Sequence, residues 1–195
     1  MPLADIPPEK RFQLRLQAMK ICLQKAQEYI AGRPSRKELI IREIVPGDES
    51  DATDFVDFDF KTAATTGQEQ WLIDAGDLTA GDLSSVIATG EKVNDDTVIG
   101  IYGFVDLSAA AELTMVALKK GNEYKDIWEV EHCYGEPPYG GINVDENGQV
   151  MVAIWKPNDP IDIQLNVTGG STDLPIVFLG FVVEKVGEHI TVPQA

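Results

Sequence analysis

Residues 161–167 read Ile161-Asp162-Ile163-Gln164-Leu165-Asn166-Val167, apolar and polar side chains in alternation. A period of two sends successive side chains to opposite faces of an extended chain, so this stretch is a half-buried β-strand. Val56, Phe58 and Phe60 alternate with Asp57 and Asp59 in the same way. Working outward, further strands are expected over 37–45, 70–73, 97–106, 112–118, 126–134, 142–144, 150–155, 174–185 and 189–192. Only Thr79–Ala88 has a helical look inside this region, and it is short. Turn residues punctuate the runs at Gly121-Asn122, Asn147-Gly148, Pro157-Asn158-Asp159-Pro160 and Gly169-Gly170.

About ten short strands with little helix between them indicate an antiparallel sandwich or barrel. A parallel sheet would need a crossover helix between strands, for which this chain has no room. The Cys…Trp…Cys pattern of an immunoglobulin domain is absent. Eight principal strands in about 150 residues suit a jelly roll. The expected fold is therefore mainly β: an antiparallel, jelly-roll-like β-sandwich preceded by an amphipathic α-helix.

That helix opens at Pro7-Pro8-Glu9, with proline suited to a first turn and an early Glu facing the positive end of the helix dipole. Apolar residues then recur as Phe12, Leu16, Met19, Leu23, Ala26 and Ile30, the spacing of a coiled-coil seam. Leu14, Ile21, Cys22 and Tyr29 widen it, and Gly32 and Pro34 end it. Such a stripe packs either on its own domain or on another subunit: the narrow seam favours the subunit, the residues that widen it favour the chain's own domain, and both stay open. Two units are expected: a basic helical arm over residues 1–36 and an acidic β-sandwich over 37–195. Removing residues 1–34 is expected to leave a folded β body.

Charge divides along the same line. The whole 195-residue chain carries −16, but residues 1–42 hold nine basic and four acidic residues, a net of +5. Residues 43–195 hold seven basic and 28 acidic residues, a net of −21. The bases of the arm are Lys10, Arg11, Arg15, Lys20, Lys25, Arg33, Arg36 and Lys37. A −16 surface excludes general nucleic-acid binding, so nucleic acid is within reach only through this arm. No apolar stretch reaches about 18 residues, so no membrane-spanning helix is expected. The opening residues lack the basic and apolar regions of a secretory signal, which places the chain inside a cell, with its two cysteines reduced.

No catalytic set assembles in the sequence. His132 and His189 are the only histidines, too few for a cupin-type metal site. His132 and Cys133 are neighbours on an expected strand and point to opposite faces. Motifs for phosphate, dinucleotide, zinc-protease and serine-hydrolase chemistry do not occur. Asn143–Gly148 imitates the first half of a calcium loop, but Ile154 stands where the bidentate Glu belongs, and a hairpin turned at Asn147-Gly148 accounts for it. No cofactor or metal is expected. The reading is a non-enzymatic, self-assembling structural subunit with homo-oligomeric contacts through the helix and the sheet surfaces. Coat subunits of viruses and phages join such an arm to a jelly roll, so the expectation is a capsid protein of a virion assembled in host cytoplasm, with other virion proteins as further partners. A cytoplasmic ligand- or carbohydrate-binding sandwich using Tyr134, Tyr139 and Trp155 is the alternative.

Overall fold

Where the side chains alternate, the chain is extended, and where they recur every three to four residues it is helical. The computed structural model describes residues 1–44, 70–130, 139–169 and 173–186. The helix α1 spans Pro8–Tyr29. The strands are β1 (Leu39–Glu43), β2 (Trp71–Ile73), β3 (Ser84–Ser85), β4 (Thr97–Asp106), β5 (Leu113–Lys120), β6 (Glu123–Glu129), β7 (Tyr139–Ile142), β8 (Ala153–Trp155), β9 (Asp162–Val167) and β10 (Leu174–Lys185). The strand expected over 56–60, the one over 189–192, and the His132-Cys133 pair lie outside the described residues.

All the strand pairings are antiparallel and form two sheets. The first has the order β1-β10-β4-β7, with β2 also on β10 and β8 also on β4. The second has the order β3-β9-β5-β6. Early strands therefore pair with late ones, β1 with β10, β3 with β9 and β4 with β7 and β8, closing on the β5–β6 hairpin at the middle. This is a long hairpin rolled over on itself, the winding of a jelly roll. The inward residues of β9, Ile163, Leu165 and Val167, are buried against Ile99, Ile101 and Phe178 of the facing sheet, while Asp162, Gln164 and Asn166 face out.

Two details depart from the sequence reading. Residues 79–88 form a turn and the short β3 rather than a helix. Gly81 takes φ 83°, Thr79 N donates to Ser84 Oγ at 3.0 Å, and Val86 and Ile87 both go into the core. The strand expected from residue 126 begins at Glu123, directly after the Gly121-Asn122 turn. Of the two readings open for the helix, the structure has the packing on its own domain: its residues lie on the outer face of the first sheet. Leu14, Ala18, Cys22, Leu23, Ala26 and Ile30 form a second core with Val98, Tyr102, Phe181 and Val183. The molecule has three layers, helix on sheet on sheet, and packing crosses the expected boundary at residue 36.

The close approach of helix and sheet rests on small residues. Ala18, Cys22 and Ala26 succeed one another at steps of four, one above the other on the helix. Opposite them stands Gly100 of β4, where a Cβ would collide with Cys22 Sγ and come within 2.9 Å of Val152 Cγ1. Two buried carboxylates are held by neighbours. Asp106 accepts from the backbone amides of Ser108, Glu112 and Leu113, and Glu184 pairs with Arg42 at 3.0 Å.

Candidate assembly surfaces

The expected seam divides between inside and outside. Leu23, Ala26 and Ile30 are buried within the chain. Phe12 is 56% exposed, and Leu16 and Met19 are half-buried. The buried row advances in steps of four residues, or 400°, so it turns by about 40° at each step relative to the helix axis. The seam's own average step is 3.6 residues, so it runs straight along the helix. The two lines meet in the last two turns and separate in the first two, which leaves Phe12 facing solvent.

The bases divide too. Arg11 donates to the carbonyls of Ile6 and Leu3 at 2.8 and 2.7 Å, fastening the preceding residues. Arg15 pairs with Glu43 at 2.6 Å. Lys25 pairs with Glu28 at 2.7 Å, and that hydrogen bond raises the lysine's pKa. Among the described residues, Lys10, Lys20, Arg33, Arg36 and Lys37 make no ion pair, and all but Lys10 are exposed.

Two sheet edges are closed to strand addition. Leu3 N donates to Gly140 O at 2.9 Å, and Pro2 bridges Gly141, so the residues ahead of α1 lie along β7. In β6 the register shifts opposite Leu118 and Lys119, which bulges Lys125 out of the pairing. The Lys125 ammonium lies 5.9 Å from the centre of the Trp155 ring, and burial lowers its pKa. A bulge and an inward lysine both keep a foreign strand from pairing there.

The ends of the sandwich carry different charges. At one end the connections 74–83 and 107–112 meet residues 168, 169 and 173: Ala75 N donates to Asp173 Oδ1, Thr168 N to Glu112 O and Gly81 N to Val167 O. Their charged residues are Asp74, Asp77, Asp82, Glu112 and Asp173, and no base stands in them among the described residues. At the other end the connections after β3, β5 and β8 meet: Val93 N donates to Asp159 O, Gly121 N to Pro160 O and Lys185 N to Asp96 O. All six described bases of residues 43–195 lie here: Lys92, Lys119, Lys120, Lys125, Lys156 and Lys185. Lys120 Nζ is 2.6 Å from Asp159, and Lys119 Nζ is 3.9 Å from Asp162. Lys156 Nζ sits 4.1 Å from the centre of the Tyr29 ring, at the end of α1.

The aromatic surface expected from Tyr134, Tyr139 and Trp155 does not form. Trp155 is fully buried in the inter-sheet core, with Nε1 donating to Lys119 O at 2.8 Å. Tyr139 opens β7, and Tyr134 lies outside the described residues. At residues 143–150 the structure has the hairpin. Val144 bridges Val150, Gly148 takes φ 72°, and Asp145 Oδ1 accepts from the amides of Asn147 and Gln149. That carboxylate is committed to the turn. Among the described residues no group of three His, Cys, Asp or Glu side chains is placed to hold a metal, and no helix is long and apolar enough to cross a membrane. Compared with known proteins, the chain matches no family model, no curated protein sequence and no solved structure.

Proposed function

We propose that this chain is a non-enzymatic structural subunit that assembles with copies of itself, as the capsid protein of a virion formed in host cytoplasm. The observation that carries the reading is the outward half of the helix stripe. Phe12 is exposed with Leu16 one turn on, in a helix whose other apolar residues are seated on the sheet. The jelly-roll winding, shared by viral coat subunits among others, adds a fold-level analogy. Other virion proteins are further partners of the same surfaces. Nucleic acid would be met through Lys10, Lys20, Arg33, Arg36 and Lys37, the bases of the arm that make no ion pair among the described residues.

Sizing chromatography with light scattering tests the reading. Wild type should run as a defined multiple of the 21.4 kDa chain. Phe12→Asp should yield folded monomers whose stability stays within about 0.5 kcal/mol of wild type, since Phe12 contributes little to the chain's own core. A wild-type protein that stays monomeric at all accessible concentrations overturns the proposal.

A further inference from the structure

We infer that copies of the chain associate end to end, with the lysine-bearing end of one sandwich on the acidic loop end of the next. This inference rests on the self-assembly reading and names the contact and its partner. Both complementary surfaces belong to one chain, which makes a second copy the matching occupant. The eight residues of β5 set the ends about 26 Å apart. The Debye length at physiological salt is about 8 Å, so the two ends of one molecule are screened from each other and attract only across a contact.

The acidic end also bears exposed apolar side chains. Leu107 is 44% exposed in the β4–β5 connection, with Ala109 and Ala110 exposed beside it. Protein interfaces combine apolar and charged side chains in this way. At the opposite end acids accompany the lysines: Asp159 and Asp162 are paired with Lys120 and Lys119, and Glu91, Asp95, Asp96 and Glu123 lie nearby in the sequence. Lys92 and Lys156 are exposed and make no ion pair among the described residues. Lys25, Arg33, Arg36 and Lys37, from the end of α1 and the turn after it, add their charge on the same side. The contact joins two different surfaces, so it is heterologous and propagates into rings or filaments rather than closing as a two-fold dimer.

Paired charge reversals test it on the full chain. Lys92→Glu with Lys156→Glu makes both ends acidic, and Asp82→Lys with Glu129→Lys, Glu129 closing β6 beside the acidic loops, sets two lysines among the carboxylates of that end. Each double variant alone should assemble at least tenfold more weakly than wild type, because like charges then face each other. Mixing the two should restore assembly, with both variants present in equal amounts. Circular dichroism checks that each variant is folded. If either is not, the neutral versions Lys92→Gln/Lys156→Gln and Asp82→Asn/Glu129→Gln should still weaken assembly. Variants that assemble alone as wild type does, with no gain on mixing, refute the end-to-end contact and leave self-assembly standing. A wild type that never assembles refutes both.

Discussion

Replacing Gly100 with alanine asks whether the helix sits where it is described. The new Cβ would collide with Cys22 Sγ and stand 2.9 Å from Val152 Cγ1 and 3.0 Å from Ile154 Cδ1. The two branched side chains can turn aside, whereas Cys22 is fixed in the buried row of α1, so the helix itself must move. Overpacking of this kind costs about 1–3 kcal/mol, partly offset by the roughly 0.5–1 kcal/mol that alanine gains over glycine in a strand. A net loss of about 1–2 kcal/mol should lower the melting temperature by about 2–8 °C for a chain of this size. Cys22→Ala alone should cost about 1 kcal/mol, the scale of deleting one buried methyl-sized group. The double variant carries the prediction, because the alanine at 22 vacates the space that the new Cβ needs. Urea unfolding followed by tryptophan fluorescence should give a double-variant loss smaller than the sum of the single losses by about 1 kcal/mol. Strict additivity would mean that Cys22 does not face Gly100, and the helix would have to be placed elsewhere.

Two further outcomes follow from the same layer. Deleting residues 1–34 should yield insoluble or unfolded protein, because it uncovers Val98, Tyr102, Ile142, Phe181 and Val183, all buried under the helix side; a soluble truncated chain with native β circular dichroism would reverse this. Burial raises the Cys22 thiol from its ordinary 9.0 to about 12, and burial followed by the Glu43 charge raises Tyr102 from 10.0 to about 12. The unfolded chain releases these protons first, so stability should fall as pH rises from about 9 toward 12. Cys22→Ala should flatten the start of that fall in urea midpoints, and an unchanged slope would contradict it.

The sequence carried the sandwich because each strand records its own burial. The alternation of Ile163, Leu165 and Val167 needs no knowledge of the partner strand, and β4 and β10 run over the residues expected of them. Where two faces are buried the alternation fades, as in β10, whose Phe181 and Val183 meet the helix while Phe178 and Val182 meet the other sheet. That continuous apolar run was the trace of a third layer. The helix stripe left two readings open because the heptad spacing treats every apolar residue as equal. The row that docks is marked by small size, Ala18, Cys22 and Ala26, and its counterpart is a glycine on a strand nearly eighty residues later. The alternative of a ligand-binding surface needs Trp155 exposed, yet ring area decides its position, and it fills the core. The gathering of lysines at one end depends on which connections the winding brings together, and no local pattern encodes that.

The pairing of early with late strands also sets a timetable. During synthesis α1 emerges before the strands that seat it, which include Phe181 and Val183 of β10, and Leu39 finds its partner only at Lys185. The nascent chain must therefore carry the apolar row of α1 uncovered for the translation of about 150 residues, roughly ten to thirty seconds at ordinary elongation rates. Contacts so distant in sequence also slow the final closure. The helix is locked only after the strands that follow it are made, and through that interval it is the segment a chaperone would be called on to shield.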